Sequence, residues 1–189
     1  MTSPETTETD LVGALLTAER AAPTAPLLGH SFGAQVLVRD PRNRILMVKP
    51  VTQDIWLLPG SLGGIRDGES VSDAAERELL KDTGVVRTVT HVLSVDQVPS
   101  VPRAPLDRFI WVCDGGVVTV DEAHEARLPE SAKPVLEGLS WIELGELRNY
   151  TSAPQLKCIN EAMVSVDFGL GVPLLEFGER VETWKPAAA

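Results

Sequence analysis

The chain has 189 residues, 43% hydrophobic and 23% charged, which suits one globular domain with a real core and is too short for two ordinary domains and a linker. Its 17 lysines and arginines against 27 acidic residues give a formal charge of −10, which argues against nucleic acid as a partner; a bound divalent cation would still reverse the sign locally for a small phosphorylated ligand. No apolar run approaches the roughly 20 residues of a membrane span, "MTSPETTETD" lacks the basic and apolar regions of a signal peptide, and Cys113 and Cys158 stand outside any C-x-x-C pair, so a reducing, cytoplasmic setting without membrane contact is expected.

In chain order, residues 1–29 read as an extension. Residues 1–9 are Thr/Glu-rich and expected to be disordered. Asp10 is placed to cap a short helix, Leu11 to Arg20, which "AAPTAP" ends. A domain over residues 30–170 follows, with a tail over 171–189. "AQVLVRD", the turn "DPRN" and "RILMVKP" form a predicted hairpin, Ala34 to Pro50. "IWLLPG" reads as a short apolar strand, and after a glycine-rich loop a helix is predicted from Ser70 to Asp82, with Gly84 as its C-terminal glycine. "VVRTVTHVLSVDQV" and "RFIWVCD" read as strands, residues 115–137 as irregular, and "LSWIEL" as a short strand. Ser152-Ala153-Pro154 opens a last helix whose Leu156, Ile159, Met163 and Val166 share a face. "VPLLEFGERVETW" reads as an extra hairpin. Strands interleaved with a few helices predict an α/β fold, a mixed sheet with helices on both faces.

The segment "GGIRDGESVSDAAERELLKDTGV", Gly63 to Val85, carries the chemistry. On a helical wheel Val71, Ala74 and Ala75 fall on one side, and Glu78 and Asp82 continue it with Lys81 beside them. Leu79 lies at the edge of this face and Leu80 points away. Two carboxylates in line with a small-residue stripe are costly unless satisfied. On the helix alone two readings stand: a solvated acidic face, or a pair of carboxylates that holds a hard divalent cation. Gly63 and Gly64 permit close backbone approach, and Glu69 is within reach of Arg77 two turns later.

This segment resembles the Nudix hydrolases, whose pattern is G-x5-E-x7-R-E-U-x-E-E-x-G-U with U a bulky aliphatic. Gly63, Glu69, Arg77, Glu78, Leu79, Gly84 and Val85 match it. "WLLPG" before it and "LSWIELGEL" after it are also similar to the family, so the resemblance spans residues 31 to 166. Two departures stand out: Ser61 and Leu62 lengthen the loop before Gly63, and Lys81 and Asp82 stand where the family has paired glutamates. The resemblance implies an α/β/α sandwich with a mixed central sheet. It also implies metal-dependent cleavage of a small diphosphate, usually a nucleoside diphosphate joined to another group. Glu78 and Asp82 would ligate Mg²⁺ or Mn²⁺, Arg77 and Glu69 would orient them, and Gly63 or Gly64 would offer backbone to metal or phosphate. Glu137 is the first candidate for a further catalytic acid, followed by Glu122 and Glu125. Homodimerisation, common in the family, would be an option for Leu11 to Arg20.

Lys81 leaves several outcomes open. The site binds fewer metals and works slowly; the ammonium replaces one metal on the diphosphate; hydrolysis is lost and the fold is kept for ligand binding, regulation or other diphosphate chemistry; or Lys81 extends into water without effect. Trp56 and Trp141 are candidates to stack on a nucleobase, or else core residues of short strands. Arg103 and Arg108 flank a proline-rich loop and are candidates to meet phosphate, or else surface residues, and Cys113 reads as a core residue of its strand.

Overall fold

The computed structural model describes residues 30–99, 106–176 and 179–180; the helix expected over Leu11 to Arg20, and Arg103, lie outside them. The strands are β1 (His30–Arg39), β2 (Arg44–Pro50), β3 (His91–Val98), β4 (Asp107–Val117), β5 (Leu136–Glu143) and the two-residue β6 (Val172–Pro173). The helices are α1 (Val71–Thr83), α2 (Val120–Glu125) and α3 (Ala153–Asp167), with a 3₁₀ turn at Leu144–Asn149. The six strands form one mixed sheet in the order β5-β2-β1-β4-β3-β6, in which β1 and β4 run parallel and the other pairs antiparallel. Leu175–Glu176 (β7) and Glu179–Arg180 (β8) pair as the hairpin expected in the tail.

Strand alternation divides the core between two faces. Val36 and Val38 of β1 pack with Ala74, Ala75 and Leu79 of α1, whereas the intervening Leu37 packs with Ile159, Ala162 and Met163 of α3. The layers are therefore helix, sheet, helix. Ala74 and Ala75 are fully buried, and their small size lets α1 lie close on β1. Leu79, expected at the edge of the helix face, is also fully buried, while Leu80 does point to solvent. The helix is fixed at both ends: the Ser70 hydroxyl accepts from the Asp73 amide, and Gly84 takes the left-handed conformation (φ 71°) with its N–H on the Leu80 carbonyl.

The expected hairpin is present but open. β1 and β2 pair only at Arg39↔Ile45, next to the turn in which the Asp40 carboxylate accepts from the Arg42 and Arg44 amides. Beyond that point the strands part, and the chain from Leu57 to Ile65 fills the gap. Val48 bridges Leu57, the Val36 amide donates to the Pro59 carbonyl (3.0 Å), and the Ile65 amide donates to the Phe32 carbonyl (3.0 Å). "IWLLPG" is thus a split-filling loop and not a strand, since its amides and carbonyls are shared singly with two diverging neighbours. Residues 85–90 form no ladder either. α1 takes their polar groups: the Ser72 hydroxyl donates to the Val89 carbonyl (2.5 Å) and the Val89 amide to Glu76 (2.9 Å). Within the stretch read as irregular, α2 is held by a capping box between Thr119 and Glu122.

The two helix faces make unequal demands on stability. Ile159→Ala is expected to cost about 2–5 kcal/mol by leaving a cavity in the α3 layer, whereas Leu80→Ala on the solvent face of α1 changes stability by no more than about 0.5 kcal/mol. Urea unfolding midpoints of the two variants check this.

Candidate active site

The α1 face that packs on β1 carries Glu78 and Asp82 to the loop filling the sheet split. Both are buried, at 4% and 2% exposure. Gly63 touches the Glu78 side chain so closely that an added Cβ would fall on its carboxyl group. The glycine is required here for space. Gly60 serves Asp82: its φ of 87° is left-handed, and its amide donates to Asp82 Oδ2 at 2.9 Å. Burial pushes the Asp82 carboxyl above its usual value.

A guanidinium ties loop to helix. Arg77 grips Glu69 with two bonds, Nε to Oε1 (2.6 Å) and Nη2 to Oε2 (2.8 Å). Its Nη2 also donates to the Gly64 carbonyl (3.0 Å), and its Nη1 meets Glu78 Oε1. The Arg66 amide donates to Glu69 as well. The hydrogen bonds from Arg77 hold the Glu69 carboxyl down at about 2, and Glu69 in turn raises Arg77 above its ordinary value. Lys81 completes the group: its ammonium lies 2.7 Å from Glu78 Oε2 and 4.0 Å from Asp82 Oδ1.

From the opposite side of the same loop comes Arg108 of β4. Its Nη2 donates to the Gly63 carbonyl (2.8 Å) and the Ser61 carbonyl (3.2 Å), and it lies against Gly33, where a Cβ would crowd it. Burial lowers its pKa. Of the two readings of Arg108, a purely surface role does not hold: the side chain is bonded to the loop carbonyls beside Glu78. Ser31, Phe32, Gly63, Gly64, Val98, Leu106 and Arg108 line a cleft of about 490 Å³. Next to it Phe32 stacks on Phe109 (centroids 6.0 Å) and tilts against Trp111 (5.5 Å), with Phe32 44% exposed.

Glu69, Arg77, Glu78, Lys81, Asp82, Gly63 and Gly64 are thus brought together as one cluster. The remaining candidates stand elsewhere. Glu137 of β5 pairs with Lys49 (2.9 Å), which also holds Asp54 (2.8 Å). Glu122 pairs with Arg87 at 2.7 Å. Trp56 is half-buried, with its ring against Gly138 and the α3-side core, and Trp141 donates from its indole to the Ala123 carbonyl (3.0 Å). The aromatics beside the cleft are Phe32 and Phe109, and not the two tryptophans, Trp56 and Trp141, that sequence makes conspicuous. The signal for them is the aromatic alternation in "RFIWV", Phe109 and Trp111 on one face of a strand.

A helix–sheet–helix sandwich with a carboxylate-bearing helix on a glycine loop defines a recurrent class of α/β domain, and comparison places the chain within it. The family model for the NUDIX domain matches residues 29–162, and the chain belongs to that family. It is 30% identical over 132 residues, 70% of this chain and 79% of the relative, to a Bacillus subtilis (strain 168) protein described as "Putative 8-oxo-dGTP diphosphatase". Among solved structures, a NUDIX hydrolase from Nitrosomonas europaea superposes with a TM-score of 0.60 at 17% identity, covering 79% of this chain and 97% of that one. The NUDIX domain of Shewanella oneidensis NrtR, complexed with ADP ribose, gives the same TM-score, identity and coverage.

The family generally uses divalent cations, and the donor set allows a test of fit. No group of three or more His, Cys, Asp and Glu side chains able to hold a metal occurs among the described residues. Glu78 and Asp82 are two carboxylates whose Oε2 and Oδ1 already face one cation, the Lys81 ammonium. Mg²⁺ is commonly held by one or two carboxylates together with substrate phosphates. The residues therefore fit a single ion that shares its coordination with a diphosphate, and do not form a protein-only metal cage.

Because Glu69 titrates at about 2 in the fold against a usual 4.5, its pairing with Arg77 stabilises the protein fully above about pH 4.5, and that contribution is lost as pH falls toward 2. The stability gap between wild type and Glu69→Gln, from urea midpoints, is expected to be largest near neutral pH and to close progressively below about pH 4.5.

Proposed function

We propose that the protein is a diphosphate hydrolase acting on a nucleoside diphosphate linked to another group, with Mg²⁺ or Mn²⁺ carried in on the substrate. The observation that carries this reading is the buried Glu78–Asp82 pair, set against the Gly63–Gly64 loop and matched by Arg77, Lys81 and the Gly60 amide. Buried carboxylates are retained where they are paired or hold a metal. The relative described as "Putative 8-oxo-dGTP diphosphatase" and the NUDIX domain complexed with ADP ribose support a nucleotide-like substrate.

In this reading Glu78 and Asp82 would hold the ion, which when bound would supply charge neutralisation for the diphosphate and activation of a water. Arg77 fixes the Glu78 carboxylate in place and, through Glu69 and the Gly64 carbonyl, the loop that meets the phosphates. Arg108 holds the Gly63 peptide from behind. The exposed face of Phe32, backed by Phe109 and Trp111, offers a π surface for the base beside the cleft. Lys81 supplies positive charge next to the diphosphate. Glu137 pairs with Lys49 outside the cluster and is assigned no part in this reading.

A phosphate-release screen over nucleoside diphosphate sugars, ADP-ribose, oxidised nucleotides and prenyl diphosphates, with and without Mn²⁺, tests the reading. Turnover of a nucleotide substrate is expected, falling by at least about a hundredfold in Glu78→Gln, because the substitution removes a charge that acts on the transition state. No turnover on any member, or turnover unchanged in Glu78→Gln, sinks the hydrolase and favours a ligand-binding domain. Phe32→Ala is expected to raise KM by about tenfold with kcat little changed, since stacking on a base is worth about 1–3 kcal/mol. An unchanged KM removes Phe32 from the base site.

A further inference from the structure

The four carboxylate oxygens of Glu78 and Asp82 are not equivalent. Glu78 Oε1 faces Arg77 Nη1, and Asp82 Oδ2 accepts from the Gly60 amide. The other two, Glu78 Oε2 and Asp82 Oδ1, both face Lys81 Nζ, at 2.7 and 4.0 Å. These are the oxygens left for a shared cation, and the ammonium stands at that position. The carboxylates are fixed: their side chains are 6% and 3% exposed, and Gly63 packs on Glu78. The lysine is not, with 43% of its side chain exposed on a flexible four-carbon stem.

We propose that Lys81 is a tethered cation that holds the metal position in the ligand-free protein and exchanges with a divalent ion when that ion arrives bound to a diphosphate. This rests on the reading of the cluster as a diphosphate site. An ammonium and a divalent ion repel each other at one pair of oxygens, so an ion binding alone must drive Lys81 into water with no new partner. When a diphosphate accompanies the ion, the displaced ammonium has an anion beside it. The two ligands are therefore positively coupled through Lys81, and the coupling is reciprocal: diphosphate tightens metal binding by the factor by which metal tightens diphosphate binding. No bond is made or broken in the exchange, and one cation replaces another at the same carboxylates.

The test reads metal binding without turnover. Mn²⁺ is titrated by electron paramagnetic resonance into the metal-free full-length protein, without phosphate. Lys81→Gln and Lys81→Met are expected to bind Mn²⁺ at least about tenfold more tightly than wild type, and Lys81→Arg to stay close to wild type. Methylenediphosphonate, with its own chelation of Mn²⁺ accounted for, is expected to tighten wild type more than Lys81→Gln. Thermal melts give a second readout: Mn²⁺ raises the Tm of Lys81→Gln more than that of wild type, and melts without metal confirm that each variant is folded. Equal Mn²⁺ affinity in wild type and both neutral variants, or equal Tm shifts, overturns the exchange. The failures are separable. A tenfold gain with no turnover in the substrate screen leaves the exchange standing and removes the hydrolase, whereas turnover with equal affinities does the reverse.

Discussion

A charge taken out of water has to be matched, and the Glu78 carboxylate is the charge on which this site depends. It lies against Gly63 at the point where the sheet has opened, with Arg77 on one oxygen and Lys81 on the other. Removing one partner of such a pair leaves an uncompensated buried charge, which typically costs several kcal/mol. The match also shapes the loop. The guanidinium that meets Glu78 holds Glu69 by two bonds and the Gly64 carbonyl by a third, so one side chain sets the helix, the loop before it and the glycine peptide between them.

The loop is clamped from both faces of the sheet. α1 reaches it from one side through Glu78, Arg77 and Asp82. β4 reaches it from the other through Arg108, which donates to the carbonyls of Ser61 and Gly63. The room for this comes from β1 and β2, which diverge after Arg39↔Ile45 and leave β1 amides and carbonyls for the loop to use. Two extra residues, Ser61 and Leu62, fit because the loop is held at its ends. Pro59 bonds to Val36, Ile65 bonds to Phe32, and the Ser61 hydroxyl returns to the Leu58 carbonyl.

The parts of the site that sequence exposes are those whose chemistry is local. Ser70 and Gly84 at the helix ends, the alanine stripe, and the Glu69–Arg77–Glu78 set sit at short spacings, where helical geometry decides which groups meet. The same holds for Ile159 and Met163 on the buried face of α3. What sequence did not expose depends on contacts across long separations. Arg108 finds Gly63 only because β1 and β4 pair in parallel, with Ser31 opposite Arg108. Phe32 meets Phe109 and Trp111 by the same register, whereas Trp56 and Trp141, more conspicuous in sequence, are packed on Gly138 and bonded to Ala123. Residues 85–90 have strand composition, yet Ser72 and Glu76 take their polar groups before a ladder forms. The capping box at Thr119 and Glu122 was readable and shows that even a short polar stretch carries a helix start when its third residue closes the cap.

The local charge balance is consistent with the proposal that an ion and an anion would bind this site together better than either alone. Around the glycine loop stand three carboxylates, Glu69, Glu78 and Asp82, and three cations: Arg77 and Lys81 on the carboxylates, and Arg108 on the loop carbonyls. The cluster carries no net charge inside a chain of formal charge −10. A bare divalent ion gains little from a neutral cluster whose carboxylates are already taken, and a bare diphosphate approaches against the charge of the whole molecule. In the proposed reading a metal–diphosphate pair would meet neither obstacle: the ion would face the carboxylates and the phosphates the cations, and the pair brings less charge than the diphosphate alone. With Lys81 where the family pattern has a carboxylate, the site in the proposed reading would recognise the ion and the diphosphate as a unit and would not store metal alone.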